Sequence, residues 1–96
     1  MDKLKKYELM AKIARELEDV RNSQQAVLEK IGKIEVDNIE LGDKLIESQI
    51  PEIYSRTAAN ADAIREILDT FQQKTEDYGS QNNVEKLKEQ ERIKNI

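Results

Sequence analysis

From Met10 onward, apolar side chains return in steps of three and four: Met10, Ile13, Leu17, Val20, Gln24, Val27, Ile31, Ile34, Asn38, Leu41, Leu45 and Ser48. Only Gln24, Asn38 and Ser48 among those twelve positions are polar. A straight helix repeats every 3.6 residues, whereas a helix laid along another keeps a repeat of 3.5. With Met10 at heptad position a, this seam predicts one long coiled-coil-type helix over residues 3–48. Lys3 and Lys6 fall on the seam upstream, so either the register shifts toward Leu4, Tyr7 and Leu9 or the first turns fray, and fraying is expected. Gly32 and Gly42 sit off it, at b and e. Each costs about 1 kcal/mol relative to Ala inside a helix.

Pro51 sets the next expected boundary. It has no amide to donate and biases Ile50 away from helical geometry, so the first helix is expected to end or kink just before it. Beyond it the stripe Tyr54, Thr57, Ala61, Ile64, Leu68, Phe71, Thr75 and Tyr78 is displaced by two residues from the first seam. That phase shift predicts a second helix over 51–78, capped by Ser48 and folded back as a hairpin. Gly79 fits a helix end with positive φ, and Ser80, Gln81, Asn82 and Asn83 fit a turn. Asn82 followed by Glu85 reads as a capping box opening a short helix over 83–95, with Val84, Leu87, Ile93 and Ile96 as its stripe.

The expected fold is therefore all-α. Residues 1–80 form a helical-hairpin, coiled-coil oligomerisation domain, and 81–96 a short C-terminal helix that either docks or stays mobile. Composition agrees: Ala, Glu, Lys, Leu and Arg make up 44 of the 96 residues, and there is one proline. The four aromatic residues and the scarcity of Val and Thr leave little with which to build a sheet.

Length then makes a prediction about partners. At 1.5 Å per residue the first helix would run roughly 65–70 Å and the second about 40 Å. The second cannot cover the first, and 38% apolar residues build only a thin core. A second copy of the chain is the simplest cover, so a homo-oligomer is expected, with a dimer favoured. Met10 through Leu45 of the seam form the candidate oligomer interface, while Tyr54, Ala61, Ile64, Leu68, Phe71 and Tyr78 pack the hairpin. In a parallel dimer Glu16 would face Arg21 and Lys30 would face Glu35, and Gln24 and Asn38 would pair with their symmetry mates. Antiparallel association and a bundle of two hairpins stay open. A partnerless three-helix bundle is the competing reading.

The candidate chemistry is sparse. The chain has no Cys and no His, which removes disulfides, thiolate and imidazole metal sites, and most nucleophile or acid–base constellations. Ser23, Ser48, Ser55 and Ser80 lack a catalytic setting. The stretch from Asp37 places Gly42 sixth, as a calcium loop would. Ile39 and Leu41 then occupy liganding positions, and Ser48 replaces the twelfth-position Glu. No enzyme activity, metal or cofactor is expected. No apolar run reaches the roughly 18 residues of a membrane span, and Met1, Asp2, Lys3, Leu4, Lys5 and Lys6 do not resemble a signal peptide; no membrane association and a cytoplasmic location are expected.

Charge supplies the remaining hint. The chain carries 20 acidic and 16 basic side chains, net −4. Residues 35–52 hold Glu35, Asp37, Glu40, Asp43, Glu47 and Glu52 against Lys44 alone, while Lys3, Lys5, Lys6, Lys86, Lys88, Arg92 and Lys94 cluster toward the ends. Glu85, Glu89 and Glu91 interleave the second basic cluster and no aromatic platform accompanies it, so direct nucleic-acid binding is disfavoured. The expected function is a non-enzymatic protein–protein interaction module that self-associates and acts as scaffold, adaptor or inhibitor, of the kind common among bacterial and phage accessory proteins. The alternatives are an acidic protein that blocks a nucleic-acid-binding partner, or a weak nucleic-acid-binding module using its basic termini.

Overall fold

The computed structural model describes residues 1–95 as three helices, α1 (Lys3–Leu41), α2 (Lys44–Gln81) and α3 (Val84–Lys94), with no strand among the described residues. The fold is all-α. Ile96, the expected last member of the α3 stripe, lies outside the described residues.

The reversal of the chain differs from the expectation in one decisive respect: it falls at Gly42–Asp43, and not at Pro51. Gly42 adopts φ 70°, a left-handed conformation that costs glycine nothing. Its amide donates to the Asn38 carbonyl at 2.7 Å and closes α1. The Asp43 carboxylate then accepts the Ile46 amide at 3.1 Å, capping α2 in the role assigned to Ser48. Ser48 instead lies inside α2 and donates its hydroxyl back to the Leu45 carbonyl. Asn38 ties the two ends together. Its side-chain oxygen accepts the Asp43 amide at 3.0 Å, and its Nδ2 donates to the Asp43 carbonyl at 3.1 Å.

Pro51 consequently sits within α2, on its exposed side. Only the Glu47 carbonyl loses its helical donor, and water can reach that face. The phase shift between the two stripes, which the sequence places at the proline, is absorbed by the Gly42–Asp43 turn.

The chain divides into two compact units, Glu18–Glu66, and Met1–Leu17 together with Ile67–Ile96. The first is a two-helix hairpin closed by the Gly42 turn. Leu28 is buried there, and Ile31, Ile46, Ile50, Ala58, Ala61 and Ile64 are half-buried. The Tyr54 ring lies beside Gly32, where an added methyl carbon would stand 3.9 Å from it.

The second unit packs the start of α1, the end of α2 and α3. Met10, Ala14, Leu68, Thr75 and Val84 are buried in it, Leu68 completely. Residues 81–95 thus share a unit with parts of both long helices, and α3 is docked. Lys88 of α3 places its ammonium 5.1 Å from the Tyr7 ring centroid, and Lys6 lies 5.0 Å from that of Tyr78. Gly79 does not end α2. It lies inside the helix and lets Tyr7 approach so closely that a methyl carbon there would meet the ring at 3.0 Å. The left-handed residue is Asn83, φ 51°, which precedes α3 without a side-chain cap. The expected Asn82–Glu85 capping box is absent, because the Asn82 amide turns back to donate to the Tyr78 carbonyl at 3.0 Å.

Two substitutions test the turn. Pro51→Ala restores a donor for the Glu47 carbonyl and should raise stability by about 1–3 kcal/mol, read as a higher urea midpoint. A lower midpoint would place the helix start at the proline instead. Asn38→Ala leaves the Asp43 amide without its acceptor and the Asp43 carbonyl with the Glu47 amide alone, and should cost about 1–3 kcal/mol in the same measurement.

Candidate interaction surface

The eleven seam residues expected at an oligomer interface separate into two rows. Met10 and Asn38 are buried and Leu17, Gln24 and Ile31 half-buried, all at position a. The d-position residues Ile13, Val20, Val27, Ile34 and Leu41 are exposed, as is Leu45 beyond the turn. In place of d, α1 turns row e inward: Ala14 and Leu28 are buried, and Arg21 and Glu35 half-buried. Rows a and e lie about 40° apart on a helix and d lies on the other side of a, so a helix that covers a and e leaves d outward. Sequence reasoning missed Ala14 and Leu28. Their spacing of fourteen residues on row e was the available signal.

Row a of α1 is therefore occupied within the chain. The Asn38 amide, expected to meet its symmetry mate, is consumed by Asp43. The expected ion-pair partners Arg21 and Glu35 are half-buried, and Arg21 pairs with Glu18 of its own helix at 3.9 Å. On α2 the hairpin residues fall as the stripe requires: Leu68 is fully buried, and Ala61, Ile64, Phe71 and Tyr78 are half-buried. Tyr54 is more exposed, its ring spread over Gly32.

What remains outside is a row of aliphatics at seven-residue spacing. In the Glu18–Glu66 unit Val20, Val27 and Ile34 are 41%, 43% and 44% exposed, and Ile53 of α2 is 39% exposed. Around the turn the exposure is larger, with Val36 at 65%, Ile39 at 83%, Leu41 at 73% and Leu45 at 70%. These turn residues stand among the six acids of 35–52. A groove of about 340 Å³ beside the turn is lined by the Glu35 and Glu47 side chains and by Ile39, Ile46 and Pro51.

Ion pairs do not link the helices among the described residues. All seven, such as Lys12–Glu16 and Arg92–Glu89, join residues three or four apart in one helix, and their side chains are largely exposed. Each contributes a few tenths of a kcal/mol to its own helix. No group of three or more metal-ligating side chains is gathered, and no helix is long and apolar enough to cross a membrane, among the described residues. Compared with known proteins, the chain matches no family model, no curated protein and no solved structure at a significant level.

Proposed function

We propose that this protein is a non-enzymatic protein–protein interaction module that self-associates, a dimer favoured, and serves as scaffold, adaptor or inhibitor of a partner protein. One observation carries the reading. Fourteen large apolar side chains are exposed against five buried apolar residues among those described, an imbalance that association relieves.

A second, compatible reading concerns the turn. Val36, Ile39 and Leu45 are apolar and strongly exposed inside the most acidic stretch of the chain. Such a tip suits a partner whose surface is basic with an apolar centre, including a nucleic-acid-binding protein that the tip would block.

Light scattering over a concentration series should give a mass above that of one chain, and the melting temperature should rise with concentration. A mass of 11.1 kDa at every concentration would remove the self-association reading. For the tip, Ile39→Ser with Leu45→Ser should leave the mass unchanged and abolish retention of any basic protein the wild type holds; equal retention by the variant would dismiss the tip.

A further inference from the structure

Resting on the self-association reading, the geometry points to a particular dimer: two Glu18–Glu66 hairpins stack antiparallel, with the outward row of α1 in each laid on the same row of the other and a two-fold axis beside Ile34.

A two-fold contact requires a surface that complements itself when reversed. The outward edge of α1 has that property. Along rows d and g it reads Val27, Lys30, Ile34, Asp37, Leu41. Reversed about Ile34, Val27 meets Leu41, Ile34 meets Ile34, and the Lys30 ammonium meets the Asp37 carboxylate twice. All five residues are exposed, and neither Lys30 nor Asp37 takes part in an ion pair among the described residues. Centring the reversal midway between Val27 and Ile34 instead would set Lys30 against Lys30, a like-charge contact.

The second helix supports the same centre. Counting from the contact of Gly32 with Tyr54, the antiparallel helices bring Ile53 level with Ile34 to within about one residue. When a and e are inward on both helices of an antiparallel hairpin, their d rows emerge on one face. Ile53 therefore widens the apolar patch at the axis. The other face, row b, carries Glu18, Gln25, Gly32 and Ile39 on α1 and Pro51, Ala58 and Arg65 on α2.

Charge also fixes the direction. A parallel dimer would put two turns side by side, each with six acids and one lysine in residues 35–52. Antiparallel stacking moves each turn over the middle of the opposite hairpin, where Leu41 finds Val27.

Three kinds of variant decide the matter. Ile34→Asp, an exposed position, should keep its helicity by circular dichroism and raise the dimer dissociation constant by roughly 100-fold or more. Lys30→Glu alone and Asp37→Lys alone should each weaken the dimer by roughly tenfold, and the double exchange should restore it, since the pairs re-form with reversed sign. Because the chain has no cysteine, Ile34→Cys should cross-link to itself on oxidation while Leu41→Cys does not. A wild-type dimer that tolerates Ile34→Asp, shows no charge rescue, or cross-links through Leu41→Cys overturns this geometry and leaves self-association standing. A wild type that is monomeric at every concentration removes both.

Discussion

The Asn38–Gly42–Asp43 latch governs which side of α1 the second helix covers within the Glu18–Glu66 hairpin. A helix has no preferred back or front until something fixes its neighbour's rotation and height. Here a left-handed glycine reverses the chain, a carboxylate starts the next helix, and one amide clasps the backbone on the far side of the turn. Those few hydrogen bonds, each worth about 1 kcal/mol net, set the phase with which α2 meets α1 along the hairpin. Rows a and e are covered as a result, and row d is left to solvent.

Little else holds the helices in register. Their ion pairs are local, and the buried apolar residues among those described are few and well spaced: Ala14, Leu28 and Leu68 are typical. Small residues at the contact allow close approach, as where Gly79 receives the Tyr7 ring and Gly32 the Tyr54 ring. An added methyl at Gly79 would stand 3.0 Å from the Tyr7 ring, which would have to give way by a few tenths of an ångström, so the glycine there favours close packing against its poor helix propensity. Stability accumulates from repeated thin layers along two long helices, the regime in which the energy gained by covering one more apolar row is large relative to the whole.

Fold class, the α2 stripe and the extent of α3 were legible in the sequence because each rests on many residues at once. The 3–4 spacing from Tyr54 to Tyr78 survives any single exception, and helix composition is a sum over the chain. The turn was not legible, because it depends on the competition of two breakers whose intrinsic costs are similar in kind. Proline alone looks stronger than glycine alone. Gly42 is followed by a capping aspartate and preceded, four residues earlier, by an asparagine able to span the turn, and their combined preference exceeds the cost of one proline on an exposed helix face. Asn38 shows the same ambiguity from the other side: an asparagine on a heptad seam is read as a coiled-coil register device, and identical chemistry serves a turn when a left-handed glycine lies four residues on. The capping box at Asn82 failed for a related reason, since an amide near a helix end can cap forward or bond backward, and here the Tyr78 carbonyl was nearer.

A seam with three apolar rows carries two kinds of information that sequence spacing superimposes. An a/d pattern of period 3.5 says that two neighbouring rows of a helix are greasy; it does not say that one neighbour covers both. Once α2 lies on a and e, the apolar d row stays exposed, from Ile13 at 37% to Leu41 at 73%. Substitutions at Leu17 or Ile31 would then report on the fold, and substitutions at Val27 or Ile34 on what the fold presents. The rows lie one helical step apart and share a period. Only the position of a single turn, seven residues from where proline suggests it, tells them apart.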